Sequence, residues 1–143
     1  MKKIGTTFEY ENERNRELLQ AFYKVLDECP GLPFYQQCEK ISQMPSSRFW
    51  VSEERATIVI IRLLKGLHTP LSPCKREMYD EILRRVIAEQ HRSPHLSIRD
   101  IVFSVVLQPA PKFYYTAASI REMIYRIKRE WYEARKRKLR HLF

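Results

Sequence analysis

PGLPFYQQCEKISQMPSSRFWVSEERATIVIIRLL, Pro30 to Leu64, is the stretch that decides the fold, because the chain carries it twice. The second copy, PHLSIRDIVFSVVLQPAPKFYYTAASIREMIYRIK, runs from Pro94 to Lys128, and the two align without a gap at an offset of 64 residues. Strict identities are Pro30/Pro94, Leu32/Leu96, Pro45/Pro109, Phe49/Phe113, Ile60/Ile124 and Arg62/Arg126. Chemical matches carry more weight: Cys38/Val102, Ile41/Val105, Trp50/Tyr114, Ser52/Thr116, Val59/Met123 and Leu63/Ile127 keep apolar and hydroxyl positions in register. A repeat constrains architecture before any local reading does.

Each copy reads as helices and punctuation. Phe34, Cys38 and Ile41 fall at i, i+4, i+7, the spacing of a buried helical stripe. Pro45 ends that short helix, and Ser52 caps the next, with Glu53 and Glu54 near the positive end of its dipole. Ala56, Val59, Ile60 and Leu63 make its apolar face. In the second copy Ser97 with Asp100 resembles a capping box, and Ile98, Val102 and Val105 repeat the stripe. Pro109 and Pro111 stop it, and Thr116 opens the last helix, whose apolar positions are Ile120, Met123, Ile124, Ile127 and Trp131. The run Ile101–Leu107 is β-rich in composition, but its register with Phe34–Gln43 favours a helix.

Upstream of each copy lies a further amphipathic segment. Asn12 reads as an N-cap before Leu18, Leu19, Phe22, Val25 and Leu26, and Pro30-Gly31 stops that helix. Ser72-Pro73 starts the corresponding helix of the second half, with Met78, Ile82, Leu83, Val86 and Ile87 on its face. RELLQAFYKV (Arg16–Val25) parallels REMYDEILRR (Arg76–Arg85) at an offset of 60, which predicts a four-residue insertion around His91–Ser93. The expected architecture is all-α: a three-helix unit over 1–66, a linker over 67–73, and a second unit over 74–143 with an extended basic C-terminal helix, the two units packed together. Phe49 and Phe113 are expected to be buried between the second and third helices of their own units.

Charge is uneven along the chain. Residues 1–65 hold 10 Lys/Arg against 9 Asp/Glu, and residues 66–143 hold 16 against 8, so 8 of the formal +9 charges fall in the second half. Arg126 to Phe143 alone holds 8 Lys/Arg against two Glu. Such asymmetry points to a polyanionic partner, or to a basic tail that keeps the protein soluble. Three glycines are too few for phosphate-cradling loops. The opening MKKIGTTFEYENERN lacks a secretory leader, no segment approaches 18 consecutive apolar residues, and the three cysteines follow no pairing motif. A cytoplasmic protein with reduced thiols and no membrane partner is expected. His68, His91, His95 and His141 show no metal spacing with the cysteines, and no carboxylate pair or nucleophile constellation stands out, so no cofactor, metal or catalysis is expected.

The turn elements PSSRFWVS (Pro45–Ser52) and PAPKFYYT (Pro109–Thr116), each before a helix, resemble the framework of tri-helical helix-turn-helix DNA-binding domains, and the tandem arrangement is similar to Myb-like repeats. The resemblance spans residues 13–65 and 75–131. It departs at the turn, which is longer than the three or four residues of a helix-turn-helix. RFWVSEERA (Arg48–Ala56) is also similar to short bacterial proteins, a resemblance that brings no activity with it. Charge and position suggest duplex DNA as partner, with Arg48 and Lys112 on phosphates beside helix N-termini, Arg121, Arg126, Lys128 and Arg129 on the candidate reading helix with Arg121 reaching base edges, and Arg135, Lys136, Arg137, Lys138 and Arg140 gripping backbone. The expected function is a nonenzymatic DNA-binding protein, such as a small regulator or mobile-element accessory factor. The alternative is a helical interaction module whose basic tail contacts an acidic protein or RNA.

Overall fold

The structure is a computed structural model that describes residues 2–142, with side chains described from residue 10 onward. It is all-α, as the periodicity predicts: α1 (Lys2–Glu28), α2 (Phe34–Ser42), α3 (Glu53–Leu64), α4 (Pro73–Arg92), α5 (Ile98–Val106) and α6 (Ala117–Leu142). The starts are chemically marked. Ser52 accepts a hydrogen bond from the Arg55 amide at 3.2 Å, Ser97 from Asp100 at 3.1 Å, and Thr116 from Ser119 at 3.1 Å. Pro73 occupies the first turn of α4, where its missing N–H leaves no bond unmade. One start differs from expectation. Helix α1 begins ten residues before Asn12, so that asparagine is interior. No proline interrupts the opening segment, and one internal glycine, Gly5, costs only about 1 kcal/mol against helix.

The offset of 64 holds through the whole framework. It separates Phe34 from Ile98, Ser42 from Val106 and Glu53 from Ala117. It also separates the ends of α1 and α4, Glu28 and Arg92, so the insertion expected around His91–Ser93 does not occur. Leu18 and Ile82 correspond, as do Phe22 and Val86, and all four are buried. The 60-residue match misled because a four-residue slip is about one helical turn and leaves the apolar face unchanged.

Packing partners do not follow chain order. Helix α3 packs on α4 and α5, while α6 packs on α1 and α2; α2 and α3, neighbours in sequence, do not pack on each other. One core gathers Val59 and Ile60 of α3 with Met78, Ile82 and Val86 of α4 and Val102 and Val105 of α5. The other gathers Leu18, Phe22 and Val25 of α1 with Cys38 and Ile41 of α2 and Ile120 and Ile124 of α6. Each repeat thus lends its third helix to the other, and the expected grouping by residues 1–66 and 74–143 does not describe the cores. Fully burying each such aliphatic side chain stabilises by roughly 1.5–3 kcal/mol.

The proline turns make the exchange. Ser46 and Ala110, equivalent repeat positions, trade backbone hydrogen bonds at 3.0 Å in both directions. A residue pairing with its own counterpart is what an approximate two-fold relation between the repeats requires. Each turn then delivers its phenylalanine across the junction. Phe49 is 0 % exposed, donates its amide to Val106 at 3.0 Å and lies in the α3–α4–α5 core; Phe113 is 2 % exposed in the other. Both rings are buried as expected, but the gap each fills lies between helices of different repeats. Tyr114, stacked on Phe49 with centroids 6.0 Å apart, has φ 61°, a left-handed conformation unfavourable by roughly 1–2 kcal/mol for a non-glycine. The turn's long reach, beyond that of a helix-turn-helix, is what this crossover needs.

Candidate nucleic-acid interface

The basic residues of the two turns are committed to the fold. The Arg48 side chain, 12 % exposed, donates to the carbonyls of Phe49 and Val51 at 3.1 and 3.0 Å. Its guanidinium lies 5.3 Å from the Tyr10 ring centroid and 5.5 Å from that of Trp50, with Glu53 at 3.8 Å. It braces the crossover and presents no open charge. Lys112 donates to Glu77 at 2.7 Å, a pair partly exposed on both sides. Both donors expected to meet phosphate thus have partners within the fold, close-packed for Arg48 and partly exposed for Lys112.

Helix α6 collects the remaining predicted cations. Its first turns are anchored by Ile120 and Ile124, both 0 % exposed. Arg121 lies over Tyr125 at 5.6 Å, and close enough to Cys38 to oppose the upward pressure that burial puts on that thiol's pKa. The Lys128 ammonium lies over the Phe22 ring at 4.5 Å and 6.0 Å from that of Phe34, a cation–π contact at the edge of the α1–α2–α6 core. From Lys128 onward every described α6 residue is exposed. Arg135 sits over Trp131 at 5.3 Å and Lys136 over Tyr132 at 4.9 Å, exposed pairs of about 0.5–1 kcal/mol. Among the described residues no Lys or Arg from Arg126 to Arg140 forms an ion pair. Successive positions turn by about 100°, so Arg135, Lys136, Arg137 and Lys138 surround the helix.

Trp131 departs from its expected place on the packed face. It is 62 % exposed and, with Leu19, Tyr23, Ile127 and Lys128, lines an apolar groove of about 390 Å³ between α1 and α6. Helical period alone marked it as core; Glu130 and Glu133 beside it were the signal that packing ends there.

The described residues include no group of three His, Cys, Asp or Glu side chains placed to hold a metal ion, and no described helix is long and apolar enough to cross a membrane. The cysteines form no disulfide; Cys38 is buried, and Cys29 and Cys74 are half-buried. Compared with known proteins, the chain matches no family model, no curated protein and no solved structure.

Proposed function

We propose that the protein is a nonenzymatic DNA-binding protein that grips duplex backbone with the free length of α6. The observation that carries this reading is the basic segment from Arg126 to Arg140, which forms no ion pair among the described residues and is exposed at every position from Lys128 onward. Ten residues from Glu133 to Leu142 extend roughly 15 Å, and a major groove about 12 Å wide admits one such helix between two rows of phosphates. Charge on every side of the helix suits that insertion better than a flat anionic surface, which rewards one basic and one apolar face. The cations meet phosphate, so they position and attract without reading sequence.

The test is a gel shift with random duplex DNA across a salt series, comparing the intact chain with one lacking residues 133–143. The deletion removes five Lys/Arg and one Glu, a net loss of four positive charges. Every phosphate that the shortened chain no longer neutralises flattens the slope of log K against log salt by about 0.9, and affinity falls alike for all sequences. Absence of duplex binding by the intact chain at low salt overturns the reading. The apolar groove beside Trp131 favours the second one, a helical interaction module, in that event.

A further inference from the structure

A separate cleft lies near the opposite end of α6. It has a volume of about 550 Å³ and is walled by α1, the start of α3 and the start of α4. Arg14, Arg55 and Lys75 reach it from those three helices, and no carboxylate lines it. None of the three cations has an ion-pair partner among the described residues. Like charges gathered without counter-charge repel one another, and a bound anion relieves that repulsion. The start of α4 adds to the field: Ser72 makes no capping bond, and no acid stands in the first turn.

The rest of the wall is aromatic. Tyr10 and Tyr115 hold the Arg14 guanidinium between them at 6.0 and 5.9 Å from their centroids. Tyr79 and Trp50 are buried at 2 % and 5 % exposure. The Trp50 indole nitrogen is the one buried side-chain polar atom, among the described residues, without a hydrogen-bond partner. That nitrogen is closed to solvent, so it belongs to the packing behind the cleft wall and not to a ligand contact. A bare anion needs only the cations; a planar base also uses the half-buried rings of Tyr10 and Tyr115, since every base stacks on aromatic faces. The volume is that of a small-molecule site.

We propose that this cleft binds a nucleotide, with its phosphate among Arg14, Arg55 and Lys75 and its base against the tyrosine-rich wall. The source is either a free mononucleotide or one unit of a single strand, which share this chemistry. The site goes beyond the reading of α6 and does not rest on it.

The chain has two tryptophans, so a Trp131→Phe background leaves Trp50 as the emission reporter inside the cleft. Adenosine monophosphate, inorganic phosphate and a short single-stranded oligonucleotide are titrated in turn into the full-length protein. Saturable quenching by adenosine monophosphate assigns the free nucleotide; saturation by the oligonucleotide alone assigns the strand unit. Arg14→Gln, Arg55→Gln and Lys75→Gln each weaken binding about tenfold, as loss of a charge-assisted hydrogen bond does, with circular dichroism unchanged. The proposal is overturned if neither organic probe alters Trp50 emission, if the triple variant binds like its parent, or if inorganic phosphate competes on equal terms. Failure of duplex binding through α6 leaves these outcomes untouched, and the reverse also holds.

Discussion

Helices α3 and α6 are the same element of the repeat, yet one stops at Leu64 and the other runs to Leu142. Their first twelve positions do the same work, burying Ala56 and Ile60 in one core and Ile120 and Ile124 in the other. The divergence comes at Gly66, whose equivalent is Glu130. Gly66 takes φ +72°, its amide bonds Leu63 at 3.0 Å, and the Leu67 amide bonds Arg62 at 3.0 Å. That pair of bonds is a Schellman motif, which glycine enters without a Cβ penalty. Glutamate prefers to continue the helix. One position therefore separates a third helix that belongs wholly to the fold from one that leaves the fold and carries charge into solvent.

The comparison is broken most severely at the crossover. Phe49→Ala and Phe113→Ala should each destabilise by roughly 3–5 kcal/mol, from the burial forgone and the cavity left behind. Denaturant unfolding measures both, and the two costs should be alike. A loss below about 1 kcal/mol at either position would show that the two turns are not equivalent in packing.

The helix ends come next. Gly66→Ala should destabilise by about 1 kcal/mol, because nothing lies within 4 Å of an added Cβ and only the positive φ opposes it. Glu130→Gly should destabilise α6 by about 1 kcal/mol and lower helical circular dichroism while melting of the cores hardly shifts. Equal loss of core stability in the Glu130 variant would mean that the free length of α6 is tied to the body after all.

The smallest effect concerns the acids that brace the turns. Glu17 accepts the Ser47 amide at 2.6 Å, whereas its equivalent Glu81 holds Arg85, which donates to the Pro109 carbonyl at 2.9 Å. The hydrogen bond from Arg84, followed by that from Arg85, keeps the Glu81 carboxyl below the usual carboxylate range. A depressed folded pKa contributes stability above the unfolded value of about 4.3 and loses it as pH falls through the folded one. Glu81→Gln should therefore cost less than about 1 kcal/mol at neutral pH, given solvent screening, and nothing once the pH lies below both values. An unchanged acid limb in the unfolding profile would show that the Glu81 pairs contribute no stability.

Most of the secondary structure was legible because it rests on local chemistry. Ser52, Ser97 and Thr116 cap the helices they announce, and the stripes Phe34–Cys38–Ile41 and Ile98–Val102–Val105 mark α2 and α5. The basic character of the end of α6 was also legible, because it is a matter of composition alone. Arg48 and Lys112 were not. Whether a cation is open or claimed depends on carbonyls and carboxylates such as those of Val51 and Glu77, which the fold alone brings near. The cleft was equally hidden: Arg14, Arg55 and Lys75 lie far apart in sequence and share no local pattern.

The sequence by itself determined six helices in two equivalent sets, because periodicity, capping hydroxyls and prolines act within a few residues of themselves. Only the tertiary structure decided which third helix completes which core. The two apolar faces of α3 and α6 are interchangeable in character, so hydrophobicity cannot assign partners between them. The crossing turns can: paired at Ser46 and Ala110, they carry each chain direction past its own short helix and toward the other repeat's.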